Sequence, residues 1–254
     1  MKTVLVTGAS SGIGRETALV FAQNAYQPIL VARRKDKLEE VRALISGKYG
    51  INAEVIDMDL SQRDSALALT EKVRGLGLTV DVLVNNAGYG LSGGFTAIDE
   101  QKQTDMLMLN MVTLTRLTRF FAEDMEKRGG GVIINLASTA AFQPIPGLAC
   151  YAATKSYVLS MTEAIAYEMR KTGVKLIAIC PGPTKSEFAQ VAGVESSSMF
   201  DKAPGSGELA NFIFSSLNSK KYFRIHGFKN RFLKSISGMA PHKMAMGIVE
   251  KMMK

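Results

Sequence analysis

The segment YAATK places Tyr151 and Lys155 four residues apart, neighbours on one face if the segment is helical. A phenol titrates at about 10, too high to give up and recover protons easily at neutral pH. An ammonium beside it favours the phenolate and pulls that value down, which makes the pair a candidate general acid and base. Ser138 follows the apolar run 132–136, where its hydroxyl could hold a carbonyl oxygen beside the phenol. Taken alone, Tyr-x-x-x-Lys is a common helix pattern that needs only packing and a solvated charge. The chemistry depends on what positions these groups.

A second group of residues points to a bound anion. TGASSGIG, residues 7–14, lies between the apolar run 4–6 and a helical pattern. A strand-to-helix turn presents unpaired N–H groups and the positive end of the helix dipole, which favour a phosphate. Gly8, Gly12 and Gly14 would let the backbone approach a pyrophosphate, with Ser10, Ser11 and Ile13 beside it. The spacing is not the commoner G-x-G-x-x-G, and no Lys-Ser/Thr pair follows Gly14, which disfavours a Walker-type loop. About twenty residues on, VARRKDK brings Arg33 and Arg34 to the end of a second apolar run. A guanidinium there accommodates the 2′-phosphate of NADP, whereas a carboxylate would hold the ribose hydroxyl of NAD. NADP(H) is therefore favoured, and nearby Asp36 keeps NAD(H) as the less favoured alternative.

The elements that must carry these residues alternate. Apolar runs at 3–6, 28–32, 53–57, 80–84, 132–136, 175–180 and 222–226 read as strands; helical patterns occupy 13–25, 35–48, 62–76, 99–127 and 150–172. Gly173 is placed to end the last helix. Short continuous apolar strands between helices imply an α/β doubly wound parallel sheet covered on both faces. Residues 181–207 lose periodicity and read as a binding loop or lid. Residues 1–227 form the expected domain, and 228–254 a helical extension on it, with helices at 228–237 and 242–253 broken near Pro241.

Together, TGASSGIG, NNAG at 85–88, Ser138, YAATK and PGPT at 181–184 resemble the short-chain dehydrogenase/reductase family, from the first strand to about residue 190. The resemblance implies a Rossmann-type sheet of about seven strands, a nicotinamide cofactor and carbonyl/alcohol redox chemistry. It implies that Tyr151 is the general acid, Lys155 the ribose-binding residue that tunes it, and Ser138 the group orienting the carbonyl. Asn110, in MLNMV, matches the asparagine that supports a proton-relay water. Gly8, Gly12, Ile13 and Gly14 match the pyrophosphate loop; Asp59 and Leu60 lie beside the adenine; Asn86, Ala87 and Gly88 lie on the adenosine side. Pro181, Gly182 and Thr184 match the segment holding the nicotinamide end, and Arg33 the residue facing a 2′-phosphate. NADPH would deliver hydride to a carbonyl carbon while Tyr151 protonates its oxygen. An NAD-dependent alcohol dehydrogenase and a non-catalytic NADP-binding regulator are the alternatives.

Composition bounds the rest. The chain has 254 residues and a net charge of +8, all of it from residues 219–254, where nine Lys and Arg face Glu250 alone. A neutral body with a basic tail argues against a nucleic-acid binder. The tail, rich in Phe and Met, is a candidate lid, oligomer contact or membrane-surface contact. Two cysteines make no disulfide framework, no apolar stretch is long enough to span a bilayer, and no signal peptide is read. A cytoplasmic enzyme, homodimer or homotetramer, is expected, with no metal: His226 and His242 lie outside the motifs. Tyr89, Leu91, Phe95, Phe142, Ile145, Leu148 and Phe188 are the candidate substrate contacts, which suits an apolar ketone or aldehyde.

Overall fold

A computed structural model describes residues 1–195, 197, 200, 203–237 and 246–247. Seven strands, β1 Lys2–Thr7, β2 Tyr26–Ala32, β3 Glu54–Asp57, β4 Val82–Asn85, β5 Gly131–Leu136, β6 Val174–Cys180 and β7 Phe223–Ile225, form one sheet. Its order is β3-β2-β1-β4-β5-β6-β7, with every neighbouring pair parallel.

Successive side chains of a strand point to opposite faces, so a sheet covered on both sides needs apolar residues at consecutive positions. Val4, Leu5 and Val6 of β1 are all fully buried. Val4 and Val6 enter a core with Phe21, Leu38, Leu209 and Ile213, from α1 Gly12–Gln23, α2 Lys35–Tyr49 and α8 Ser206–Ser215. Leu5 enters the opposite core with Leu69, Leu117, Phe121 and Met125, from α3 Ser65–Gly75 and α5 Leu114–Lys127. α6 Ala149–Glu168 packs on that second face through Ala166.

The single helix expected over 99–127 is interrupted. α4 Glu100–Leu107 and α5 are joined by a π-helical turn, Met108–Thr113, that carries Asn110. Gly173 does not end α6, which stops at Glu168; it sits at φ 80° in the turn before β6, where a Cβ would collide with the Gly129 carbonyl. The expected loop at 181–207 contains a short helix, α7 Phe188–Ala192, and is followed by α8, a helix the sequence reading lacked. α9 Phe228–Ser237 agrees with the expected helix at 228–237; the expected helix at 242–253 lies outside the described residues apart from 246–247.

The order of the sheet locates the site. β1 lies between β2 and β4, so the chain leaves the C-terminal ends of β1 and β4 in opposite directions and opens a crevice there. Thr7 and Asn86 staple the two ends across that point. Backbone N–H groups of Asn86 and Ala87 donate to Thr7 Oγ1 at 3.0 and 2.9 Å, and Asn86 Nδ2 donates to the Thr7 carbonyl at 2.9 Å.

Candidate active site

The glycine turn rises from β1 into α1 at one side of a cleft of about 1350 Å³. Gly8 and Gly12 adopt φ 67° and 51°, backbone that favours glycine, and both line the cleft with Ser10, Ser11 and Ile13. Gly14 does not line it. A Cβ there would run into the Gly8 carbonyl, so Gly14 shapes the turn by letting α1 close onto it. A bare backbone at a helix N-terminus with two seryl hydroxyls suits a pyrophosphate, and the residues present fit a dinucleotide.

At the ends of β2 and β3, Arg33, Arg34, Asp59 and Leu60 line the same cleft. Partial burial works to raise the Asp59 pKa, but hydrogen bonds from Ser61 and the charge of Arg33 win, and the net shift is downward. Arg34 is already engaged. Its guanidinium donates to Ser10 Oγ at 3.3 Å, to Ser11 Oγ at 3.0 Å and to Glu187 Oε2 at 2.7 Å. Ser11 Oγ also donates to Glu187 Oε2, at 2.8 Å. Glu187 lies immediately before α7, on the far wall.

At the other end the chemical groups converge from three elements. The α6 helix brings Tyr151 and Lys155 to the cleft, buried to 9% and 5% exposure. Lys155 Nζ donates to the Leu136 carbonyl at the end of β5, at 2.8 Å, and lies 5.7 Å from the Tyr151 ring centroid. Ser138 caps the turn after β5: its Oγ accepts from Ala140 N–H at 3.1 Å and donates to the Pro181 carbonyl at 3.4 Å. The Ser138 side chain also acts on the phenol, favouring its ionised form. Desolvation outweighs it, and the Tyr151 pKa is pushed up to about 12. The same burial pulls Lys155 down to about 8. Burial is the largest influence on both groups.

Asn110 stands behind the cleft, fully buried in the π-helical turn. Its Oδ1 accepts from Tyr89 N–H at 3.2 Å, and its Nδ2 donates to the Tyr89 carbonyl at 2.9 Å and to Thr154 Oγ1 at 3.2 Å. A Cβ on Gly88 would meet Asn110 Oδ1 at 2.8 Å and Lys155 Nζ at 3.6 Å, so glycine is what lets these groups close up.

Asn86, Ala87, Gly88, Pro181, Gly182 and Thr184 all line the cleft. Of the candidate substrate contacts, Tyr89, Phe142, Ile145, Leu148 and Phe188 line it. Leu91 instead packs in the small core behind Tyr151, and Phe95 is 65% exposed and away from the cleft. Phe188 lies over the phenol, ring centroids 5.2 Å apart. His226, outside the motifs, borders the cleft, buried and 3.4 Å from Glu208. Sequence reasoning missed Glu187, whose partners are 153 and 176 residues away, and Asn230, which packs against Gly182 from α9. Among the described residues no cluster of three metal-ligating side chains occurs.

The short chain dehydrogenase family model matches residues 2–195. A very-long-chain 3-oxoacyl-CoA reductase of Phaeosphaeria nodorum is 37% identical over 175 residues, 67% of this chain and 51% of that protein. A protein of the same description from Pyrenophora tritici-repentis is 31% identical over 90% of this chain and 71% of its own length. The chain thus spans about half of the first of these relatives and about seven tenths of the second. Among solved structures, a short-chain dehydrogenase from Sphingobium yanoikuyae in complex with NADPH superposes with a TM-score of 0.85, at 29% identity and 96% coverage of both chains. A parallel seven-stranded sheet with its crevice at β1 and β4, and a family match over most of the length, make this chain a member of the short-chain dehydrogenase family.

Proposed function

We propose that the protein is an NADP(H)-dependent oxidoreductase that reduces apolar ketones or aldehydes, with Tyr151 as general acid. One observation carries this reading. A single cleft has seryl and guanidinium donors at one end and a buried phenol, hydroxyl and amine at the other. When bound, the nicotinamide would supply the hydride. Tyr151, with a pKa of about 12, stays protonated at neutral pH and is poised to donate to an oxygen that gains negative charge. Ser138 would hold that oxygen in line with the phenol. Lys155, at about 8, would hold its proton below that pH and lies where it can return one toward Tyr151. Ser10, Ser11, Arg33 and Arg34 would take the phosphates of the adenosine end. Phe142, Ile145, Leu148 and Phe188 favour an apolar substrate, in keeping with the long-chain reductases among its relatives.

Parallel fluorescence titrations with NADPH and NADH test the cofactor. At least tenfold tighter binding of NADPH is expected, and equal or weaker binding would overturn the assignment. Tyr151→Phe tests the acid: turnover of an aryl ketone should fall at least 100-fold while NADPH binding stays within about twofold. Retained turnover would remove the phenol from its role.

A further inference from the structure

One of the two guanidinium groups that would take a 2′-phosphate, Arg34, is occupied by this chain's own carboxylate. Arg34 approaches Glu187 with both terminal nitrogens, at 2.7 and 3.3 Å, and Ser11 Oγ completes the set at 2.8 Å. A two-nitrogen guanidinium contact and a hydroxyl make the donor set that a phosphate or carboxylate selects. Glu187 is not a chance surface partner, because its segment is seated on the glycine turn. The would-be Cβ of Gly12 lies 3.0 Å from Ser186 Cβ, and the next residue, Phe188, lies against Tyr151. The hydrogen bonds from Arg34 hold the Glu187 carboxyl below its ordinary pKa, so it is an anion at neutral pH.

Building on the NADP reading, we propose that Glu187 is a cofactor-selecting residue that acts from across the cleft. Its carboxylate holds Ser11 and Arg34 until a 2′-phosphate displaces it. A dianionic phosphate outcompetes a single carboxylate for a guanidinium, so the site remains open to NADP(H). Displacement nevertheless reduces the apparent affinity by the fraction of molecules in which the donors are free. A dinucleotide without the 2′-phosphate does not compete for Arg34 and escapes that part of the reduction. Glu187 therefore narrows the preference for NADP(H) over NAD(H) that Arg33 and Arg34 would otherwise set. Both partners are about half exposed, at 45% and 48% for their side chains, so the effect is modest.

The test is calorimetric titration of the full chain with 2′,5′-ADP and with 5′-ADP, comparing wild type with E187Q and E187A. Removing the carboxylate should raise the ratio of 2′,5′-ADP to 5′-ADP affinity by about two- to fivefold. In an R34Q background the same change should leave the ratio within about 1.5-fold, which separates displacement at Arg34 from a general loss of negative charge. An unchanged or lower ratio in both E187Q and E187A overturns the proposal while leaving the NADP assignment standing. A wild-type preference for 2′,5′-ADP that grows in both E187Q and E187A supports it. No preference in wild type or in either variant overturns the NADP reading, and the proposal with it.

Discussion

Lys155 shows how a reactive side chain strains the fold that holds it. Its amine is buried, has no carboxylate partner among the described residues, and donates to a backbone carbonyl. Burial brings its pKa from the ordinary 10.5 to about 8. Between those values the unfolded chain binds a proton that the folded chain has released, so this group makes stability rise with pH across that window. Below pH 8 the full penalty of a buried charge applies. Lys155→Met should therefore stabilise the cofactor-free protein at pH 7 by about 1–2 kcal/mol, after the loss of the bond to Leu136. Thermal melts at pH 7 and pH 9.5 check this, since the advantage should shrink at the higher pH while turnover is lost at both. A destabilised variant at pH 7 would mean that Lys155 is better solvated than its burial indicates.

At the scale of elements, two glycines in helices make opposite predictions. Gly14 faces the Gly8 carbonyl, whereas Gly47 of α2 has no neighbour within 4 Å. Gly14→Ala should destabilise by about 2–3 kcal/mol through overpacking, and Gly47→Ala should stabilise by about 0.5–1 kcal/mol through chain entropy and helix propensity. Denaturant midpoints of the two variants check both signs. The strands and the first helices were legible because a two-faced sheet demands continuous apolar runs, as in Val4, Leu5 and Val6. α8 was not, although Leu209, Ala210 and Ile213 are spaced for a buried helix face; the Ser-, Gly- and Pro-rich stretch before it hid its start. The π-helical turn at Asn110 had no signature at all. MLNMV suits an ordinary helix, and the widened turn goes with hydrogen bonds to Tyr89, a residue 21 positions away.

At the scale of the whole molecule, α9, the described part of the extension, lies against the cleft. Phe228, Lys229, Asn230 and Lys234 line its mouth, Asn230 Nδ2 donates to the His226 carbonyl at 2.8 Å, and Lys234 lies 5.8 Å from the Phe142 ring centroid. The lid, one of the three expected roles for the tail, makes a specific prediction. Ending the chain at residue 227 should raise KM for acetophenone about tenfold or more, while 2′,5′-ADP affinity at the distant end stays within about twofold. Steady-state kinetics and calorimetry read the two quantities, and equal losses in both would mean that α9 supports the fold rather than the substrate site. No helix among the described residues is long and apolar enough to cross a membrane. Liposome binding that survives the truncation would remove the membrane-surface role as well.

What the chain order determines unaided is local: which runs pair as strands, which turn is free of side chains, and which helix face carries a phenol and an amine four residues apart. Periodicity and residue chemistry suffice because each of those features is contained within a few turns or a few strand residues. The tertiary structure decided the balance between groups distant in sequence. It buried Tyr151 and Lys155 together, so that desolvation is the largest influence on both. It also carried Glu187 across the cleft onto Arg34, 153 residues earlier in the chain. Burial and long-range contact arise only once the sheet has closed, which is why neither could be read from spacing.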